Sequence, residues 1–280
     1  MVSSMSNGPF SAIVSDIDGT LLTRVNGNIS PRLKAAVAEV TNRGIPFSIS
    51  TGRMRRSAWI VHQEIGANAT MICYQGAMAV DAETNTLLKH ERLDEATAAE
   101  AIHFFKSREL DIRVYVDDDV FVSHQDEEDF DYAQRNHAKL VKVDDLFPLA
   151  NREPTVVLGI SPPNEMAEHV HDIARLLGSA AEVTHSLPHF CEVGSPRAGK
   201  VRALQWLAER HGLEPSDYIT FGDGLGDLEM VRWAGRGYAV GNAHPMVIDA
   251  AHDHIPGPDS EGVAIELERL NGSGMLTRQD

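Results

Sequence analysis

The sequence predicts an α/β protein: a doubly wound parallel sheet that carries an inserted second α/β domain. Short apolar segments alternate with amphipathic helical segments at the start of the chain and again near its end. Polar clusters follow several of these apolar segments, and open parallel sheets bind ligands where their strands end. From about residue 81 to residue 194 strands and helices still alternate, but no predicted strand there ends in a cluster of catalytic type.

The core elements are predicted from apolar runs and their boundaries. Residues 10–14 form a buried strand, and Ser30-Pro31 begins a helix that Gly44 ends. Later segments follow the same rules. The strands are expected at Pro46–Ser50, Met71–Tyr74, Tyr218–Phe221 and from Ala239 to the loop at Asn242, and the helices after Arg53, from Lys200 and over Glu261–Leu270.

The inserted region is predicted to be a separate α/β domain. Its strands are expected at Thr86–Leu88, Ile112–Val116, Val120–Val122, Val156–Ile160 and Glu182–Thr184, and its helices at Ala96–Phe105, Asp129–Ala138 and Glu165–Leu177. The acidic runs Asp117–Asp119 and Asp126–Asp131 are open to two interpretations, cation sites or a hairpin turn and a solvated helix start, and the second is favoured.

Composition limits the classes of partner. The chain has 280 residues and a formal net charge of −16, which disfavours nucleic acid and anionic membranes as partners. Two distant cysteines give no disulfide framework and indicate a reducing compartment. The polar segment Met1–Gly8 does not resemble a signal peptide, and no stretch has membrane-spanning length, so a cytoplasmic location is expected.

The first polar cluster is Asp16-Ile17-Asp18-Gly19-Thr20. Residues two apart in an extended segment point the same way, so Asp16 and Asp18 can face one small volume. Gly19 allows the backbone to turn, and Thr20 offers a hydroxyl. The alternative is an ordinary acidic turn, because Asp-Gly is a common turn pair.

Two further clusters follow predicted strands, and one lysine begins a predicted helix. Ser50-Thr51-Gly52-Arg53 can bind a phosphate through the Thr51 hydroxyl and backbone amides. The alternative is an ordinary helix N-cap followed by a solvated arginine. Lys200 lies in the first turn of a helix, where it opposes the helix dipole unless an anion is close; the alternative is a surface lysine. Two carboxylates among three glycines at 222–227 suit Mg²⁺, which prefers oxygen ligands. The group His185, His189, Cys191 and Glu192 has the chemistry of zinc ligands, but a strand returning from the insertion is favoured there.

The order of these clusters resembles the haloacid dehalogenase-like superfamily, and within it the Cof-type phosphatases. The resemblance covers almost the whole chain and rests on these segments: Asp16-Ile17-Asp18-Gly19-Thr20-Leu21-Leu22, Ser50-Thr51-Gly52-Arg53, Lys200, Gly222-Asp223 with Asp227, Met230, Val240-Gly241-Asn242-Ala243 and Glu261-Gly262-Val263-Ala264. It implies a Rossmann-like catalytic core, residues 8–80 and 195–275, with an α/β cap at 81–194 that determines substrate specificity.

The resemblance also implies an activity, which is Mg²⁺-dependent hydrolysis of a small phosphomonoester such as a sugar phosphate. Asp16 would be the nucleophile that forms an aspartyl-phosphate, and Asp18 the general acid and base. Asp16, Asp18 through its backbone carbonyl, and Asp223 would hold the metal. Phosphate binding would fall to Thr51, Gly52 and Lys200. Three residues would have supporting roles: Asp227, Arg53 and Asn242.

Three positions depart from the family pattern. Gly226 stands where relatives usually have Asn, Gln75 replaces the Asn of an Asn-Gly-Ala turn, and Val201 replaces the Gly after the lysine. None of them removes the predicted nucleophile, acid or metal ligands. The alternatives are a sugar phosphotransferase or phosphomutase, a receiver-like phosphoacceptor, and a non-catalytic binding protein. A receiver is disfavoured because it lacks a large insertion.

Overall fold

Residues 10–23, 27–185 and 187–277 are described by a computed structural model of the chain. They divide into two units. The first comprises the described residues up to Gly52, Ala58–Leu88 and those from Lys200 onward; the second comprises Arg53–Ser57 and Lys89–Gly199. The expectation about Met1–Gly8 lies outside the described residues.

The strands and helices are numbered along the chain. The strands are β1 Ala12–Ser15, β2 Phe47–Ser50, β3 Met71–Cys73, β4 Met78–Val80, β5 Leu87–His90, β6 Asp111–Val116, β7 Asp119–Val122, β8 Leu140–Lys142, β9 Val156–Ile160, β10 Glu182–Thr184, β11 Phe190–Gly194, β12 Tyr218–Gly222, β13 Arg236–Val240 and β14 Asp253–Ile255. The α-helices are α1 Pro31–Asn42, α2 Arg55–Ile65, α3 Glu95–Ser107, α4 Glu127–Arg135, α5 Pro163–Leu177, α6 Lys200–His211, α7 Leu228–Trp233, α8 Pro245–Ala250 and α9 Gly262–Gly272.

The sheet of the first unit has the strand order β14-β13-β12-β1-β2-β3-β4-β5. Its strands from β14 to β3 pair in parallel, whereas β4 is antiparallel to β3. The central strand β1 lies between β2 and β12, and all four of its residues are buried. This arrangement brings the carboxyl ends of β1, β2 and β12 to one edge, and the predicted doubly wound α/β class is confirmed.

Local sequence explains how the first elements are bounded. The Ser30 side chain accepts a hydrogen bond of 3.0 Å from the amide of Leu33, and Pro31 is the first residue of α1. Leu33, Ala36, Val37 and Val40 form the buried face of that helix. Gly44, with φ +80°, then turns the chain toward β2.

The sheet of the second unit has the strand order β10-β11-β9-β6-β7-β8 and is antiparallel except where β7 pairs with β8. Its apolar core includes Phe105 of α3, Val114 of β6, Val157 of β9 and Ile173 of α5. Asp126 and Asp129 form a reciprocal capping box at the start of α4. These contacts account for the acidic run at 126–131 as a helix start.

Several predicted boundaries need correction. The strand predicted to end at Tyr74 ends at Cys73, because Tyr74 has φ +49°. The helix predicted for Asp129–Ala138 is α4, which begins earlier and ends at Arg135, before His137 at φ +52°. The strand predicted at Thr86–Leu88 is β5, which starts one residue later. The short elements β4, β8, β14, α7 and α8 were not predicted.

Asp117 and Asp118 form the left-handed turn between β6 and β7, as the hairpin interpretation expects. Within the ranges that the structure describes, no helix is both long and apolar enough to span a membrane. The predicted domain boundaries and the role of the insertion as a specificity cap stay predictions.

Candidate active site

The first strand end that carries predicted site residues is that of β1. Asp16 follows it, and its backbone amide donates 3.0 Å to the carbonyl of Phe221 in β12, which extends the parallel ladder by one residue. Asp223 follows β12 in the same way. Both side chains are buried, with Asp16 5% and Asp223 4% exposed. Neighbouring parallel strands therefore deliver two carboxylates to one buried volume.

Lys200, the first residue of α6, lies against this volume. Its Nζ donates to Asp16 Oδ1 at 2.6 Å and to Asp227 Oδ1 at 2.7 Å, and the lysine is only 5% exposed. This contact excludes the surface-lysine interpretation. A buried ammonium between two carboxylates links the loop after β1 to the loop after β12.

Burial dominates the electrostatics of this cluster. Desolvation raises the pKa of Asp16 to about 7 although Lys200 opposes the rise, and the carboxylates of Asp227 and Asp223 raise it further. Burial lowers the pKa of Lys200, but Asp16 and Asp227 more than reverse that effect, so its pKa is raised and the amine stays charged. The cluster therefore holds more negative charge than its one lysine neutralises.

Asp227 anchors the loop that follows β12. Its Oδ2 accepts hydrogen bonds from the amides of Asp223 at 3.1 Å and Gly224 at 2.9 Å, while its Oδ1 accepts from Lys200. A Cβ on Gly222 would lie 2.5 Å from the Cβ of Asp227, so only glycine fits there. Asp227 thus orients both the lysine and the 222–227 backbone.

The turn after β1 depends on Gly19, which has φ +94°. A Cβ at this position would lie 2.4 Å from Asp223 Oδ2. Thr20 donates 3.0 Å to Asp223 Oδ1. Asp18 is half-buried two residues beyond Asp16. The close approach of the two loops therefore requires glycine at 19.

Asn242 supports the same turn from the loop after β13. Its Nδ2 donates 2.8 Å to the carbonyl of Gly19, and the nearby amide of His244 donates 2.8 Å to the carbonyl of Asp223. The Asn242 side chain thus contacts the backbone of Gly19, and its supporting role in the site stays a prediction.

Thr51 and Gly52 follow β2. Thr51 is 1% exposed. Its amide donates a hydrogen bond of 2.9 Å to the carbonyl of Ile72, and its carbonyl accepts one of 3.1 Å from the amide of Gln75. The Gln75 side chain lies next to Gly52, a proximity that the sequence did not reveal. Arg53 belongs to the 53–57 segment that groups with the second unit, so its phosphate contact stays a prediction.

The carboxylates of Asp16, Asp223 and Asp227 could hold a divalent cation. One oxygen of each lies within 4.8 Å of the others, and no second group of this kind occurs in residues 10–23, 27–185 and 187–277. The donor set fits a hard cation, because it offers only oxygen atoms and three carboxylates against one lysine. His185, His189, Cys191 and Glu192 do not come together in this way. Cys73 and Cys191 are buried and are not joined in a disulfide.

Comparisons with known proteins relate the chain to one family and one fold. A family model described as haloacid dehalogenase-like hydrolase matches residues 13–267. The chain is 27% identical to the HMP-PP phosphatase of Cronobacter sakazakii, with 86% of this chain and 87% of that protein covered. It is also 27% identical to the 5-amino-6-(5-phospho-D-ribitylamino)uracil phosphatase YitU of Bacillus subtilis, with 90% and 94% covered. A crystal structure of a haloacid dehalogenase-like hydrolase from Bacteroides thetaiotaomicron superposes with a TM-score of 0.85 at 23% identity, covering 93% of this chain and 99% of that one.

Proposed function

Because the chain belongs to the haloacid dehalogenase-like hydrolases, we propose that it is a Mg²⁺-dependent phosphatase that cleaves a small phosphomonoester through an aspartyl-phosphate. The observation that carries this proposal is the buried cluster in which Lys200 bonds both Asp16 and Asp227 beside Asp223. A buried carboxylate held at one oxygen by an ammonium group is well placed to attack phosphorus with the other oxygen.

The metal ligands proposed are Asp16, the backbone carbonyl of Asp18, and Asp223. Asp227 supports them, because both of its oxygens already accept hydrogen bonds. When bound, Mg²⁺ would neutralise negative charge around the phosphoryl oxygens. Thr20 and Gly19 shape the Asp223 side of the site through the contacts described above.

Asp16 is the proposed nucleophile. Lys200 occupies its Oδ1, which fixes the orientation of the carboxylate and leaves Oδ2 for attack. Attack forms the bond between Oδ2 and phosphorus and breaks the bond to the leaving alcohol. Splitting one slow hydrolysis into two steps is the advantage of covalent catalysis.

Asp18 is the proposed general acid and base. It protonates the leaving oxygen in the first step and then takes a proton from the water that hydrolyses the aspartyl-phosphate. A half-buried position two residues after the nucleophile is consistent with proton exchange with solvent. Thr51, Gly52 and Lys200 bind the phosphoryl oxygens, with Arg53 as a further donor and Asn242 holding the Gly19 turn.

The substrate class proposed is a small phosphorylated metabolite. Both relatives named above are phosphatases whose names give small phosphorylated compounds as substrates. The second unit is proposed to act as the cap that selects the leaving group, and the protein is proposed to work in the cytoplasm without nucleic-acid or membrane partners.

A panel of phosphorylated metabolites tests the function. The purified chain is incubated with each compound and MgCl₂, and released phosphate is measured, with Asp16→Asn as the inactive control. We expect phosphate release from at least one sugar phosphate or similar ester and none from the variant. Equal release by both proteins, or none from any ester, would contradict the proposal.

A further inference from the structure

Gln75 lies between the loop after β2, which carries Thr51 and Gly52, and the loop after β12, which carries Asp223 and Asp227. It follows β3 in a left-handed turn, with φ +53°, and its amide donates 3.1 Å to the carbonyl of Thr51. Its Nε2 is 2.6 Å from the point where a Cβ on Gly52 would lie. Its Oε1 is 3.1 Å from the corresponding point on Gly226. The carboxamide therefore spans the gap between the loop after β2 and the loop after β12.

Both neighbours of this carboxamide are glycines, and each adjoins a residue of the site. Gly52 follows Thr51, and Gly226 precedes Asp227. Because neither position carries a side chain, the carboxamide can lie between the two loop backbones. A side chain at 226 would start within a tight contact distance of Oε1.

The hydrogen bonding of the Gln75 Oε1 atom indicates a ligand. It is buried, and it accepts no hydrogen bond from any residue that the structure describes. A buried acceptor without a donor is unfavourable, and such a group in a folded protein calls for a specific explanation, of which a functional role is one.

We propose that Gln75 is a substrate-binding residue, which rests on the function proposed above. Its Nε2 donates to an oxygen of the bound phosphate group, and the carboxamide turns on binding so that its buried Oε1 accepts from a hydroxyl that accompanies that group. It also fills the space that a side chain at 226 would need. Residues 75 and 226, two of the three positions that depart from the family pattern, thus form one coupled pair.

Inorganic phosphate is the probe for this contact. Its inhibition constant is measured with MgCl₂ for the wild type, Gln75→Met, Gly226→Ala and the control Gln205→Met. Gln75→Met keeps the side-chain length but removes both polar atoms, whereas Gln205 is exposed on α6. A lost hydrogen bond to a charged group predicts phosphate binding weakened about 10-fold or more in Gln75→Met. Gly226→Ala should displace the Gln75 carboxamide and so also weaken phosphate binding. Gln205→Met should leave phosphate binding unchanged.

A residue swap tests the coupling. Gln75→Asn shortens the side chain and Gly226→Asn crowds Oε1, so each single variant weakens phosphate binding. In the double variant the shorter residue at 75 leaves room for the amide at 226, so binding recovers beyond the sum of the single effects. Asparagine tolerates a left-handed backbone, so Gln75→Asn keeps the turn.

The outcomes separate this proposal from the function it rests on. If the wild type is active and Gln75→Met binds phosphate as tightly as the wild type, the substrate-binding role of Gln75 is overturned and the proposed function is not. Additive effects in the swap overturn the coupling. A wild type that neither hydrolyses esters nor binds phosphate overturns the proposed function, and the substrate role of Gln75 with it. If Gln75→Met does not fold, Gly226→Ala decides, because it retains Gln75.

Discussion

Asp16→Asn is expected to abolish turnover and, without metal, to stabilise the fold at pH 8. The pKa of Asp16 rises from 3.8 to about 7. Ionising this carboxylate therefore costs the metal-free fold about 4 kcal/mol once the pH exceeds 7. Asparagine resembles the uncharged carboxyl in shape, and Lys200 keeps its hydrogen bond of 2.7 Å to Asp227 Oδ1.

The sign of the pH dependence follows from the raised pKa. The folded wild type binds more protons than the unfolded chain between about pH 4 and pH 7, so its stability falls as the pH rises through that range. The variant lacks this contribution. Without metal, the variant should therefore exceed the wild type in stability more at pH 8 than at pH 5. At pH 8 the difference should raise the melting temperature by about 10 °C.

The assay is thermal unfolding of both proteins in chelator at pH 5 and pH 8, repeated with MgCl₂, beside turnover measurements. Asp249→Asn is the matched control, because Asp249 is exposed on α8. Mg²⁺ should stabilise the wild type more than Asp16→Asn and so reverse the order. A variant that is less stable than wild type at pH 8 without metal would refute the electrostatic reasoning. Near-native turnover would refute covalent catalysis by Asp16.

Three further predictions concern the same site. Chelation of divalent cations should abolish turnover and Mg²⁺ should restore it, while Ca²⁺ restores it poorly because it takes longer, looser coordination; full activity in chelator would exclude a metal role for Asp16 and Asp223. Asp18→Asn should retain Mg²⁺ affinity by calorimetry and lose most turnover on alkyl phosphates, with less loss on an activated aryl phosphate that needs no proton; weaker Mg²⁺ binding with equal losses on both would leave Asp18 as a ligand only. Gly19→Ala should lower the unfolding free energy in urea by about 1–3 kcal/mol and weaken Mg²⁺ binding, because its Cβ would meet Asp223 Oδ2 at 2.4 Å. Gly66→Ala, also at positive φ but in open space, isolates the backbone contribution, and equal effects of the two changes would refute a steric clash at Asp223.

Much of the core could be predicted because its strands are short, apolar and followed by polar clusters. Asp16 and Asp223 come from β1 and β12, and parallel pairing dictates that their ends meet. The elements that escaped prediction are brief. β4 has three residues and β14 three, too few for a periodic pattern, and their pairing with neighbours stabilises them.

The side-chain contacts could not be predicted, because they depend on distances across loops. Sequence offers no way to see that Lys200 reaches both Asp16 and Asp227, or that Asn242 holds a backbone carbonyl of the first loop. Gln75 and Gly226 lie 151 positions apart by number, and each alone is a mild departure. Only in the folded chain does the Gln75 side chain lie next to Gly226, which has no side chain.

The central position of β1 has a consequence for biosynthesis. One edge of this strand pairs with β2, which is translated soon after β1. The other edge pairs with β12, which starts at Tyr218 and is translated much later. At about 5–20 residues per second, roughly 10–40 s pass between the translation of Ser15 and that of its partner strand. During that time a strand that is buried in the folded protein presents an unpaired edge to other nascent chains. Slower elongation before Tyr218, or a shortage of chaperones, should therefore lower the yield of folded protein more than either would for a sheet built in sequence order.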